Sequence, residues 1–155
     1  MAASVRTTSS LTIPRAPAAR AAQDKRPLDW SPDGHFLLYV VNDSKTAFDI
    51  WRLPVDGDRK PFPVVQTNFD ENLAQFSPDG KWIAYQSNES GVRDLHYIQP
   101  FPGPGSKIEV TANGAAQVRW SRDGKELVPN PKDGHRPNPE TDGNPAAALI
   151  PGRLQ

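Results

Sequence analysis

The sequence predicts an all-β fold made of repeated four-stranded units. A phrase of the form aromatic-Ser-Pro-Asp-Gly occurs at Trp30–Gly34 and Phe76–Gly80, and a variant with Arg for Pro occurs at Trp120–Gly124. The glycines of successive copies lie 46 and then 44 positions apart, a period in the range of propeller blades. Short segments rich in aromatic and β-branched residues, separated by turn residues, follow the first two copies. These observations predict a partial β-propeller with two clear blades and a degenerate third.

The first blade is predicted over residues 25–66. After the short strand that ends at Trp30, Pro pre-sets φ in the turn, Asp bonds to the backbone and Gly accepts positive φ. An apolar run predicts a strand at Phe36–Val41, and alternation of apolar and polar residues predicts one at Phe48–Pro54. A short fourth strand is predicted at Phe62–Val65. Proline lacks the backbone donor that an inner strand needs, so the last of these is expected at the outer edge.

The second blade, predicted over residues 67–112, matches the first element by element. Phe76 takes the place of Trp30, Trp82 that of Phe36 and Tyr85 that of Tyr39. Its remaining strands are expected at 94–98 and 107–110, with a hairpin turn at 88–91. Four short strands at this period favour a blade over a sandwich.

The third unit, 113–155, begins like the others at Gln117–Trp120 and then decays. Pro129 stands where the first two copies have tyrosine, and the segment from Pro129 to Pro151 contains six prolines, the two end residues included. The segment 148–150 is predicted as one short strand. We expect this tail to be less ordered than the preceding blades.

Residues 1–24 are predicted to form a disordered leader. The segment is rich in Ala, Ser, Thr and Arg, and Asp24 is its first acidic residue. This composition is similar to that of an organellar transit peptide, but Pro14 and Pro17 interrupt the amphipathic helix that such a peptide would form.

Overall composition excludes several classes of function. The chain has 155 residues with 18 basic and 18 acidic side chains, so no general positive field favours nucleic acid or acidic membrane. It has no cysteine, which excludes disulfides and thiolate metal sites. No apolar run predicts a signal peptide or a membrane-spanning segment. We therefore expect a soluble chain with neither nucleic-acid binding nor membrane insertion, and its compartment stays open.

The repeat resembles that of a known family. Trp30–Gly34 and Phe76–Tyr85 are similar to the WD40-like (PD40) propeller repeat of TolB-type proteins, and comparable repeats occur in the propellers of prolyl-oligopeptidase-type peptidases. The runs Asp56–Pro61 and Pro100–Gly105 particularly resemble propellers attached to bacterial serine/threonine protein kinases.

The resemblance implies a non-catalytic propeller that binds proteins or peptides, or that controls access to an attached enzyme. It also implies relatives that are often extracytoplasmic or periplasmic. Because closed propellers have about four to eight blades, the chain is expected to be part of a larger protein or to complete itself by self-association. Two alternatives remain: an accessory segment of a hydrolase whose catalytic domain is absent, and a truncated product without function.

The chemistry-bearing residues favour structural roles. Serine and aspartate stand two positions apart in every turn phrase, at Ser31, Ser77 and Ser121, and we expect them to bond to the turn backbone. No Gly-x-Ser-x-Gly elbow is present. Asp56 and Asp58 lack the further ligands of a calcium loop. The neighbouring acids Asp70 and Glu71 are expected to be solvated.

The histidines His35, His96 and His135 show no metal-ligand spacing. We expect His35 to be exposed and His96 to be a packing residue. A binding surface would lie at a loop-lined end of the central channel, where Asp33, Asp79 and Asp123 recur once per blade. The sequence does not decide which rim they occupy. We therefore assign no catalytic, cofactor-binding or metal-binding residue, and no cofactor.

Overall fold

The computed structural model describes residues 24–91, 95–103, 105–110, 117–130 and 148–149. Residues 129–130 and 148–149 are described by their backbone alone. The predicted leader, apart from Asp24, lies outside the described residues. So does most of the proline-containing tail.

The first sheet consists of four antiparallel strands in chain order. They are β1 (Lys25–Trp30), β2 (Phe36–Asp43), β3 (Ala47–Pro54) and β4 (Phe62–Val65). The three sequence-predicted strands after the turn are confirmed, and β2 is longer than predicted by two residues. Strand β4 is the outer edge of the sheet, as expected for a strand that contains Pro63.

The second sheet repeats this order with β5 (Glu71–Phe76), β6 (Trp82–Ser87), β7 (Leu95–Pro100) and β8 (Ile108–Glu109). The element-by-element correspondence with the first sheet is confirmed. Strand β8 is only two residues long, shorter than the predicted 107–110. The predicted blade limits themselves remain predictions.

The third sheet has three described strands, in the order β11–β10–β9: β9 (Gln117–Trp120), β10 (Glu126–Asn130) and β11 (Ala148–Leu149). Pro129 lies within β10 without breaking it. Strand β11 pairs with β10 only at Glu126 and Leu127, so the missing N–H of Pro129 falls beyond that ladder.

The sheets stack face to face. Ile83 and Ala84 are neighbours on β6, and successive residues of a strand point to opposite faces. Ile83 packs with Leu38 and Ile50 of the first sheet, whereas Ala84 packs with Val118 and Leu127 of the third. The second sheet is therefore covered on both faces, as in consecutive blades of a propeller.

Aromatic side chains supply much of the contact between the first two blades. Phe101, which follows β7, meets Phe36 and Phe76 edge to face, with ring centroids 5.3 and 4.9 Å away. Tyr85 and Tyr97 stack within the second blade at 5.8 Å. Burial of such large apolar side chains is a principal source of stability. The predicted fold class, an all-β partial propeller, is confirmed.

No helix in the described part of the chain is long and apolar enough to cross a membrane.

Candidate functional site

The Ser–Asp pairs form the same hydrogen-bond network in all three turns. In the second turn, the Ser77 hydroxyl donates to Asp79 Oδ1 at 2.6 Å and accepts from the Trp82 backbone N–H at 3.0 Å. Asp79 Oδ1 also accepts from the Lys81 N–H at 3.2 Å. The corresponding contacts recur in the first and third turns. The predicted bonding to the turn backbone is confirmed.

The turn glycine completes this network. Gly34, Gly80 and Gly124 have φ of 78°, 69° and 68°, in the left-handed region where only glycine is free of Cβ strain. Each donates its N–H to the carbonyl of the turn serine. In the first and third turns, the serine hydroxyl and a backbone N–H hold the pKa of Asp33 and Asp123 below its ordinary value. These serines are therefore engaged in turn structure.

The cost of replacing a turn serine by alanine should depend on how deeply that serine is buried. Ser77 is fully buried and Ser121 is half-buried. We expect Ser77→Ala to cost about 1–3 kcal/mol because it leaves the Trp82 N–H unsatisfied away from water. At Ser121, water can replace the lost hydroxyl, so Ser121→Ala should cost less, about 0.5–1 kcal/mol. Urea unfolding of both variants measures the difference, and equal losses would contradict the role assigned to burial.

His35 and His96 occupy the environments that the sequence predicts, and His135 lies outside the described residues. The exposed His35 places Nδ1 3.0 Å from Asp56 Oδ2, and this contact raises the pKa of His35. His96 is buried in β7. Among the residues that the structure describes, no three His, Asp or Glu side chains are grouped so that they could hold a metal ion.

The expectation that Asp70 and Glu71 are both solvated is wrong for Glu71. Asp70 is exposed, but Glu71 is fully buried at the start of β5. Its Oε1 accepts hydrogen bonds from Thr67 Oγ1 at 2.5 Å and Ser87 Oγ at 3.3 Å. The polar residues around Glu71 gave no indication that it is buried. Its two hydroxyl partners come from the preceding connector and from the neighbouring strand.

Burial should make stability depend on the protonation of Glu71. Desolvation, with a smaller contribution from Asp49, raises its pKa above the ordinary value of 4.5. The folded state therefore holds this proton more tightly than the unfolded state. Stability is then lost as pH rises from 4.5 to the raised pKa. We expect Glu71→Gln to flatten this decline when unfolding is measured from about pH 4 to about pH 8.

Glu109→Gln is the matched control because Glu109 is exposed on β8. Its unfolding free energy should follow the wild-type pH profile. If the Glu71→Gln profile also ran parallel to the wild type over the whole range, the buried carboxyl would not be the cause of the pH dependence.

A groove forms where the first strands of the three blades meet. We call it the inner groove, and its volume is about 320 Å³. It is lined by three consecutive residues of each inner strand: Pro27, Leu28 and Asp29 of β1; Leu73, Ala74 and Gln75 of β5; Gln117, Val118 and Arg119 of β9. In a propeller, the innermost strands surround the central channel, so this groove is the channel side of the stack.

Bulges shape two of the three inner strands. The pairing of β1 with β2 shifts between Pro27 and Asp29, and that of β5 with β6 shifts between Asn72 and Gln75. Leu73 lies in the second bulge with φ of 53°, an uncommon conformation for a residue with a Cβ. Such bulges redirect side chains and bend strands, and here they lie along the groove.

Polar side chains at one repeat position connect the inner strands. Asp29 Oδ2 of the first blade accepts from the Phe76 N–H of the second at 2.7 Å. Gln75 of the second blade donates through Nε2 to the Val118 carbonyl of the third at 2.5 Å. Arg119 holds the equivalent position in the third blade and is exposed. The groove thus contains two hydrogen bonds between blades, which we call inter-blade clamps, and the exposed cation of Arg119.

The aspartates that the sequence suggested for a binding rim are not among the residues that line the inner groove. Asp33, Asp79 and Asp123 are exposed in the turns, where each is hydrogen-bonded within its own turn. Sequence reasoning missed Asp29, Gln75 and Arg119. One signal could have identified them: each immediately precedes the aromatic residue of the repeated phrase, and all three are polar.

The fold is similar to that of solved TolB proteins. A putative TolB from Agrobacterium tumefaciens superposes with a TM-score of 0.60 at 22% identity, over 70% of this chain and 39% of that one. TolB from Acinetobacter baumannii gives 0.57 at 26% identity, over 75% of this chain and 27% of that one. A putative 6-phosphogluconolactonase from Bacteroides uniformis gives only 0.48 at 19% identity, over 79% of this chain and 37% of that one, too low a similarity to bear on function.

No protein-family model matches the sequence, and no curated protein matches it. The two TolB structures confirm the resemblance to TolB-type propellers at the level of the fold. The chain spans between about a quarter and two fifths of the length of those TolB chains.

Proposed function

We propose that the chain is a non-catalytic propeller module that binds a protein or peptide partner through its inner groove. The observation that carries this proposal is the convergence of three inner strands on one polar groove. A channel-side groove between blades is accessible to an extended segment of another protein, and polar groups at fixed repeat positions can orient that segment.

Arg119 is the residue that we expect to contribute most to binding. Both carboxylate oxygens of Asp29 accept backbone N–H groups, and the Gln75 amide is used between blades. Arg119 is exposed at the same repeat position. Arginine is enriched among the residues that dominate binding energy at protein interfaces. The partner should therefore present an acceptor, such as a carboxylate or a backbone carbonyl, to Arg119.

A random peptide library displayed on phage and selected on the full chain tests this proposal. Selected peptides should lose affinity by about tenfold or more for Arg119→Ala. Arg122→Ala is the matched control because Arg122 is exposed in the next turn of the same blade, and it should bind like the wild type. Peptides that do not distinguish Arg119→Ala from Arg122→Ala would contradict the assignment of the groove.

We also propose that the three blades are part of a larger ring, in a TolB-like or kinase-linked protein or in an assembly of several copies. Repeat-equivalent positions support this. Phe76 is buried against the first blade, whereas its equivalent Trp30 is 52% exposed. Leu38 and Ala84 are fully buried between blades, whereas their equivalent Val128 is 36% exposed. Both ends of the described stack thus present side chains that a neighbouring blade would cover.

The neighbouring blade could belong to the same larger protein or to another copy of this chain. Light scattering on the full chain after size-exclusion chromatography distinguishes these two cases. A discrete oligomer that Val128→Lys dissociates would support completion by further copies. A monomer at every concentration would contradict self-completion and favour blades of the same larger protein.

A further inference from the structure

We infer that a second site, a cleft between the outer parts of the first two blades, binds the carboxylate of an extended peptide at Arg52. This site shares no residue with the inner groove. It is formed by outer strands and by the loop after β7, whereas the inner groove is formed by β1, β5 and β9. The inference is therefore independent of the function proposed above.

Arg52 is held by aromatic rings from both blades. Its guanidinium carbon lies 5.4 Å from the ring centroid of Phe36, 5.5 Å from that of Phe62 and 5.4 Å from that of Phe101. Rings at these distances attract the cation and restrict its position. The side chain is half-buried on β3, so the guanidinium is preorganised and partly removed from water.

The charge of this guanidinium has no anionic partner within the described part of the chain. A guanidinium carries five N–H donors, and no hydrogen bond or ion pair within the described residues engages those of Arg52. Lys107 provides the comparison within the same molecule. It lies over the Tyr97 ring at 4.9 Å and is also paired with the Glu89 carboxylate. Arg52 has the aromatic contacts without the carboxylate.

The cleft beside Arg52 has room for a ligand. Its volume is about 500 Å³, and its lining comprises Arg52, Pro63, Val64, Gln99, Pro100, Pro102, Gly103 and Gly105, none of them acidic. Arginine matches a planar carboxylate through two parallel N–H···O bonds. Charge complementarity therefore points to an anion of this shape.

The walls favour a peptide as the carrier of that carboxylate. Three of the lining residues are prolines, whose rings offer apolar packing surface. Nothing lies within 4 Å of the place where a Cβ of Gly103 would stand, so an extended chain can pass close to the backbone there. Gly105 lies against Pro100, where a Cβ would come within 2.5 Å of the proline ring. Both residues of this close contact line the cleft.

Titration of the full chain with two versions of one tripeptide, acetyl-Ala-Pro-Ala, tests the inference by NMR. One version has a free C-terminal carboxylate and the other a C-terminal amide. The free acid should produce saturable shifts of the Arg52 Nε–H and the Gly103 N–H, with affinity at least about tenfold above that of the amide. Equal binding of the two versions, or no saturable shift, would overturn the inference.

Variants and small anions locate the site and define the ligand. Arg52→Met keeps the apolar stem and removes the charge, so it should abolish the preference for the free acid. Arg59→Met should not, because Arg59 is exposed and donates to the Val55 carbonyl. Acetate or inorganic phosphate that bound as tightly as the tripeptide acid would overturn the assignment to a peptide. Arg119→Ala should leave this titration unchanged, which separates its outcome from that of the inner groove.

Discussion

Replacing Phe101 by alanine is expected to lower the free energy of unfolding by about 3–5 kcal/mol. Phe101 is buried at the boundary between the first two blades. Its ring packs edge to face against Phe36 of the first blade and Phe76 of the second. Alanine would leave a cavity that rigid strands from two sheets cannot close. Urea unfolding followed by tryptophan fluorescence measures the loss.

Phe62→Ala is the matched control for this prediction. Phe62 also contacts the Arg52 guanidinium, but it is 49% exposed at the outer edge. Its removal should cost no more than about 1 kcal/mol. Complete loss of the cooperative transition in Phe101→Ala, with Phe62→Ala still folded, would count as the predicted large effect. Equal losses in the two variants would show that the blades are not joined through Phe101.

Asp29→Ala is expected to cost about 1–3 kcal/mol through the loss of an inter-blade clamp. Asp29 Oδ2 accepts from the Phe76 N–H of the next blade, and Oδ1 accepts from its own neighbour Trp30. Alanine leaves the Phe76 N–H without a partner between packed strands. Asp29→Asn keeps one acceptor oxygen, so it should recover part of the loss. Chemical unfolding of the two variants measures both effects.

Asp58→Ala provides the control for Asp29. Its carboxylate is paired with Lys60 at 3.4 Å, but the side chain is 82% exposed. Exposed ion pairs contribute little, so the variant should lie within about 0.5 kcal/mol of the wild type. A loss in Asp29→Ala no larger than that in Asp58→Ala would contradict the clamp.

Local signals in the sequence were sufficient for the strands and the turns. The Ser-Pro-Asp-Gly phrase encodes its own hydrogen bonds, because serine, aspartate and glycine each satisfy a local requirement of the turn. The apolar run of β2 and the alternation of apolar and polar residues in β3 likewise predict strands from the local sequence. The repeat period then extends these local conclusions to the order of strands in each sheet.

The missed features depend on contacts between segments far apart in the chain. Glu71 is polar and flanked by polar residues, and only Thr67 and Ser87 make its burial possible. The inner groove depends on the packing of β1, β5 and β9, so no single blade defines it. The Arg52 cleft requires rings from two blades. Sequence periodicity identifies equivalent positions but does not show which of them meet.

The contact between Phe36 and Phe101 is the most direct measure of blade stacking. The two rings belong to different sheets, and their centroids lie 5.3 Å apart. In the folded full chain, we expect nuclear Overhauser effects between their ring protons, because edge-to-face packing brings the protons of one ring closer to the other ring than the two centroids are. A chain with cooperative unfolding and strand-rich circular dichroism, but without these effects, would contradict the stacked-blade architecture on which both binding sites depend.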